Sequence, residues 1–146
     1  MKPSRDFARL ALLSWLFTLC LTMPYVAQAQ YAITDLGTLG GSESWGCGIN
    51  NSGQVVGASH VLGNESQHAF LYDGVMHDLL GISSQASGIN DAGVVVGSSG
   101  NAYLYNGVMH DLGTLGGNSS CAYAINNAGQ VVGMADTSSP NFGSSG

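Results

Sequence analysis

Beyond residue 29 the chain contains no lysine and no arginine; its three basic residues, Lys2, Arg5 and Arg9, all lie in the N-terminal segment. Asp35, Glu43, Glu65, Asp73, Asp78, Asp91, Asp111 and Asp136 follow, so residues 30–146 carry a formal charge of −8 with histidine neutral. Nucleic acid is held largely by Lys and Arg on phosphates. Anionic membranes are read by basic clusters, and Arg forks are the usual grip on phosphate or carboxylate. The composition therefore excludes nucleic acid as a partner, and a membrane surface as a partner of the mature part. Backbone N–H groups alone can cradle a phosphate, but no P-loop lysine and no Gly-x-Gly-x-x-Gly between a strand and a helix occurs. No cofactor is expected.

Cysteine and proline are also sparse. After residue 29 only Pro140, Cys47 and Cys121 remain. Two cysteines without C-x-x-C spacing make a poor zinc site, and no metal site is assigned. An oxidising compartment leaves a disulfide open. The two cysteines do not occupy matching places in the repeat described below, so symmetry does not pair them. Serines are plentiful, but none stands in a Gly-x-Ser-x-Gly elbow. No catalytic residue is assigned.

What is present begins with a secretory pattern. Lys2, Arg5 and Arg9 form a basic n-region, Leu10 to Val26 a mostly apolar uncharged stretch, and Ala27-Gln28-Ala29 a small-residue cleavage site. Ser14, Thr18, Thr22 and Pro24 interrupt the apolar stretch, which is short against the ~20 apolar residues of a bilayer span. Phe17-Thr18-Leu19 before Cys20 lacks the small residue of a lipidation site. The expected organisation is a signal peptide over residues 1–29, a β-repeat domain over 30–133 and a Ser/Gly-rich tail over 134–146. Export places the mature chain outside the cell, at the cell surface or in the periplasm.

The mature part is dominated by internal repetition. Gly48-Ile49-Asn50-Asn51-Ser52-Gly53-Gln54-Val55-Val56-Gly57 returns at Gly88 to Gly97 and again at Ala124 to Gly133. A second string, His68-Ala69-Phe70-Leu71-Tyr72-Asp73-Gly74-Val75-Met76-His77-Asp78-Leu79, returns at Asn101 to Leu112. Asp-Leu-Gly-Thr-Leu-Gly-Gly stands at Asp35 to Gly41 and Asp111 to Gly117. Each string reads as a β-hairpin. Asp73-Gly74 and Asn106-Gly107 are type I′ turn signals. In the Asn-Asn-Ser-Gly turn and its copies, Asn caps the turn and Gly takes a left-handed position. The paired valines read as the returning strand.

One repeat is thus four strands: Ala69 to Tyr72, Val75 to Leu79, a strand approaching Ile89, and Val94 to Val96. The fold class expected is all-β, with tandem four-stranded repeats of about 36–40 residues resembling propeller blades, in an incomplete ring. A β-solenoid is the alternative. Tyr31 to Leu36 reads as strand two of a first copy. About three units result, fewer than a ring of roughly four to eight blades requires. A truncated product, an open arc and a ring closed by a second chain all account for that count.

With these strings in place, the sequence resembles the HAF-type extracellular repeat proteins of bacteria, named for the tripeptide found here as His68-Ala69-Phe70. The resemblance runs from about Tyr31 to Gly133; Asn101-Ala102-Tyr103 departs from the tripeptide. Members are usually longer. The resemblance implies export and a β-repeat architecture, and carries over no catalytic residue.

Candidate sites are few. His77-Asp78 and His110-Asp111 recur, but neighbours on a strand point to opposite faces. The expectation is a solvent-facing His and an Asp that bonds the following turn. Asp35, Asp78 and Asp111 are equivalent and invite comparison with a calcium site, yet no Asp-rich loop spacing is present. Phe70, Tyr72, Tyr103 and Tyr105 alternate on strand one, so one of each pair is expected in the core. The others, Tyr72 and Tyr105, with Trp45 and Tyr123 placed in loops, form the candidate binding set for sugar stacking. The function expected is an exported, non-enzymatic repeat protein with a structural or interaction role. A glycan-binding module is the alternative and a hydrolase a weaker one. Self-association and a cell-surface glycan are the partners left open.

Overall fold

The computed structural model describes residues 31–138. Residues 1–29, read from the sequence as a signal peptide, and the tail beyond Ser138 lie outside the described residues. Contacts divide the chain into two units, Met1–Thr34 and Asp35–Gly146. Of the first, residues 31–34 are described; they form no strand, and Tyr31 and Ile33 are exposed.

The second unit is all-β. Its strands are β1 (Gly40–Ile49), β2 (Val55–Val61), β3 (Gln67–Tyr72), β4 (Met76–Ser83), β5 (Gln85–Ile89), β6 (Val95–Ser99), β7 (Asn101–Tyr105), β8 (Met109–Gly113), β9 (Gly116–Ile125) and β10 (Val131–Thr137). They build two four-stranded antiparallel sheets, β1-β2-β3-β4 and β5-β6-β7-β8, and a hairpin β9-β10. None closes into a barrel, and the sheets are consistent with incomplete propeller-like blades.

Three details differ from the sequence expectation. Each sheet starts two strands earlier than the repeat as written. The hairpin β1–β2 shares a sheet with the hairpin β3–β4 through the pairing of β2 with β3, so Tyr72 lies opposite Val55. The step from β4 to β5, through Ser84 alone, leads to the next sheet. Residues 31–36, expected as strand two of a first copy, form no strand. At the other end β10 continues to Thr137, past the boundary expected at Gly133. Two complete sheets and a hairpin therefore replace three nearly complete repeats.

The turns divide in the same way. Gly53, Gly93 and Gly129 take φ of +79°, +78° and +80°, the left-handed position expected. Asp73-Gly74 and Asn106-Gly107 do not form two-residue type I′ turns. Tyr72 pairs with Met76 and Tyr105 with Met109, which draws Val75 and Val108 into three-residue loops. Positive φ then falls on the glycine alone, and both valines are exposed.

The sheets pack face to face. Val56 and Ala69 of the first meet Ala86, Ile89, Val95 and Tyr103 of the second, with Leu71, Leu79, Leu80 and Tyr105 at the margin. Val96 and Ala102 on the other face of the second sheet meet Ala122 of the hairpin, flanked by Leu104, Ile125 and Val131. This is why each repeat has two adjacent valines: on a strand they face opposite ways, and a sheet inside a stack is buried on both sides. Each fully buried valine contributes roughly 1.5–3 kcal/mol.

The glycine closing each valine string has a packing reason. β1, β5 and β9 are bulged at equivalent places, around Cys47, Ser87 and Tyr123. The bulge pushes a carbonyl toward the returning strand. A Cβ at Gly57, Gly97 or Gly133 would overlap the oxygen of Trp45, Gln85 or Cys121.

Candidate functional site

The most repeated residues meet at one place. Asn50, Asn90 and Asn126 each accept two main-chain N–H bonds on Oδ1 at 2.9–3.1 Å, from Ser52 and Gln54, Ala92 and Val94, and Ala128 and Gln130. That is the capping role expected. The amide nitrogen does something the sequence does not announce. Asn50 Nδ2 donates to the main-chain oxygen of Asn90 at 3.1 Å, and Asn90 Nδ2 to that of Asn126 at 3.2 Å.

A second rung runs beside the first. The N–H of Asn51 donates to Asp91 Oδ1 at 3.0 Å, and the N–H of Asp91 to Asn127 Oδ1 at 2.9 Å. Asn51 Nδ2 and Asn127 Nδ2 both donate to Asp91 Oδ2 at 2.7 Å. These bonds, led by the main-chain and side-chain amides of Asn51, hold the Asp91 carboxyl below the usual carboxylate range. A third contact uses serine: Ala69 N donates to Ser84 Oγ at 3.0 Å and Ala102 N to Ser120 Oγ at 2.8 Å. The motifs form a polar seam between successive sheets.

The histidine–aspartate dipeptides part company. His77 Nε2 lies 2.9 Å from Asp73 Oδ1, and His110 Nε2 lies 3.2 Å from Asn106 Oδ1. Asp35, Asp78 and Asp111 accept from the turn amides of Gly37, Gly81 and Gly113. Among the described residues no group of three His, Cys, Asp or Glu side chains is arranged to hold a metal.

Asp78 has another partner. His68 Nδ1 lies 2.6 Å from Asp78 Oδ2, and His68 Nε2 lies 3.2 Å from Ser66 Oγ. Burial works to raise the Asp78 pKa, but the His68 hydrogen bond and charge and the amides of Gly81 and Leu80 outweigh it; the net shift is downward. Ser66, His68 and Asp78 thus have the connectivity of a nucleophile, base and orienting acid. The sequence reading missed this because the three are contiguous only through the β3–β4 pairing. The second sheet shows what the geometry does. Asn101 replaces His68 and still donates to Asp111 at 3.1 Å; the amide of Gly113 first, and Asn101 with it, lower that carboxyl's pKa too. Asn cannot act as a base, yet the tie from strand to turn survives. Clefts lie on β1–β2, on β9–β10, and between Ala102 and β9–β10, and none of these three is lined by Ser66, His68 or Asp78.

The four aromatics expected as a binding set are dispersed. Phe70 and Tyr103 are fully buried. Tyr72 and Tyr105 are half-buried at equivalent ends of β3 and β7, and Tyr105 packs against the core. Trp45 and Tyr123 lie on strands β1 and β9, not in loops, with exposures of 43% and 51%. Trp45 packs edge-on against His60, ring centroids 5.2 Å apart. Among the described residues no two of the four rings stack on each other. Both cysteines are free thiols, Cys47 on β1 and Cys121 on β9.

Comparison with protein-family models, with curated proteins and with solved structures returns no match.

Proposed function

We propose that this chain is an exported, non-catalytic repeat module with a structural or interaction role, related to the HAF-type repeat proteins its strings resemble. One observation carries the reading: the polar residues that recur most faithfully are engaged in turns and in bonds between successive sheets. A catalytic repeat would keep some of those groups free and aimed into a cleft. The clefts on β1–β2, on β9–β10 and beside Ala102 are not lined by Ser66, His68 or Asp78, and the equivalent pair, Asn101 and Asp111, dispenses with the base.

The test is expression of the full chain, with its N-terminal segment, in an exporting bacterial host. The expected product is recovered outside the cytoplasm with Gln30 at its N-terminus. It stays unlabelled at Ser66 by a fluorophosphonate probe and shows no hydrolase turnover that survives repurification. Cytoplasmic retention overturns the exported part of the reading. Stoichiometric labelling of Ser66 overturns the non-catalytic part.

The exposed indole of Trp45 favours a second reading, a glycan-binding module. Quenching or protection of Trp45 fluorescence by a polysaccharide supports it, and silence across a glycan panel counts against it.

A further inference from the structure

Every sheet-to-sheet contact joins a downstream face to an upstream face, and among the described residues each end of the stack leaves part of such a face exposed, although Phe70 on the upstream face of the first sheet is buried. Val132 holds the place of Val56 and Val96, which are fully buried, yet it is 60% exposed. Ile49 holds the place of Ile89; the first is 69% exposed, the second 8%. A cleft of about 380 Å³ lies over Gly46, Cys47, Gly48, Ile49 and Val55. Another of about 290 Å³ follows the turn end of the β9–β10 hairpin from Ala124 to Val132.

The polar seam ends in a matching way. Asn126 Nδ2 donates to Gln130 Oε1 at 2.7 Å. An amide has two hydrogens, and the second, used by Asn50 and Asn90 on the next repeat, finds no acceptor among the described residues. The N–H of Asn127 is likewise without the acceptor that Asn51 and Asp91 find. At the opposite end the Asn50 carbonyl and Asn51 Oδ1 hold the positions at which Asn90 and Asp91 accept. Two donors at one end thus stand in the register of two acceptors at the other.

We propose that the downstream face of one copy docks head to tail on the upstream face of a second copy of this chain, continuing the ladder and the apolar contact across the junction. The inference rests on the interaction-module reading and names its partner. The junction is heterologous, so it closes into a ring or extends as a filament. Two copies contribute six blade positions, within the roughly four to eight of closed propellers. One feature limits its strength. A Cβ placed on Gly48 or Gly88 would lie 3.2 Å from the Cα of the next repeat, and Ala124 carries that Cβ. A docked copy stands off slightly there, and the association is concentration-dependent.

The experiment is light scattering on a sizing column with the processed full chain, across a concentration series, alongside Ile49→Lys, Val132→Lys and Ala124→Gly. Both lysine variants alter exposed positions and retain the β circular-dichroism spectrum. The wild-type mass is expected to rise to a dimer or beyond. Each lysine variant alone stays monomeric. An equal mixture of the two recovers a dimer, because each supplies the intact face the other lacks. Ala124→Gly associates at several-fold lower concentration. A folded wild-type monomer at every concentration overturns the head-to-tail junction while leaving the interaction-module reading standing. Association of either lysine variant by itself also overturns it, and points to face-to-face docking or to pairing along the open edge of β10.

Discussion

The side-chain amide of Asn50 donates to the main-chain oxygen of Asn90 across 3.1 Å, one repeat downstream. Asn90 does the same to Asn126. A period in the sequence is here a bond in space. At Asn50 and Asn90 the asparagine that shapes the turn with its oxygen uses its nitrogen to fix the next sheet. One residue type therefore sets both the local hairpin and the spacing of the stack, and this double duty explains why the string recurs so closely.

The glycine after each valine pair is required by the bulge opposite it. Gly97→Ala is expected to lower stability by about 1–3 kcal/mol, the usual range for overpacking, because the new methyl meets the Gln85 carbonyl and the Tyr103 hydroxyl. Urea unfolding with an unchanged m-value and a lower midpoint would agree. An unchanged midpoint would mean that the bulge is absent.

Tyr103 and Phe70 occupy equivalent places, and both are fully buried. Tyr103 adds a hydroxyl that donates to the Gln85 oxygen at 3.2 Å, and burial pushes its pKa far above the ordinary phenol value. Tyr103→Phe is expected to cost about 1 kcal/mol, the net worth of one hydrogen bond. Phe70→Ala is expected to cost about 3–5 kcal/mol through the cavity it leaves. Urea midpoints of the two variants check the order; equal losses would contradict it.

Acid should weaken the fold. The carboxyls of Asp78, Asp91 and Asp111 are held below the usual range. The unfolded chain then takes up protons at a higher pH than the folded one. This contribution to stability is complete above the ordinary carboxylate value and is lost as the pH falls through it and on through the folded-state values. Urea midpoints measured from about pH 6 down to about pH 2 span that window. Asp91→Asn, which places an amide against the amides of Asn51 and Asn127, should lower the midpoint at the upper end and flatten its fall. A midpoint that rises toward low pH would contradict the assignment.

Much of this architecture is legible in the residues. The adjacent valines, the Asn-x-x-Gly turns and the alternating Phe70 and Tyr72 mark short strands, left-handed turn positions and the core member of each aromatic pair. The phase of the sheets is not legible, because both hairpins of a repeat have equally good turn signals. Only the pairing of β2 with β3 decides which two share a sheet. The Ser66-His68-Asp78 chain and the ladder were hidden for a related reason. Each joins residues through strand pairing or stacking, and the sequence shows only that they recur. Trp45 and Tyr123 were misplaced in loops because β1 and β9 extend across Gly-, Ser- and Asn-rich segments that usually signal turns.

The measurement closest to the central claim compares Asn50→Ala with Asn126→Ala by urea unfolding, at concentrations low enough to keep the chain monomeric. The two asparagines cap equivalent turns and bond equivalent glutamines at 2.8 and 2.7 Å, but only Asn50 donates to a following repeat. The ladder predicts that Asn50→Ala costs more, by about 0.5–1.5 kcal/mol for the additional hydrogen bond. Equal losses would mean that the recurring string serves only its own turn, and would contradict the account.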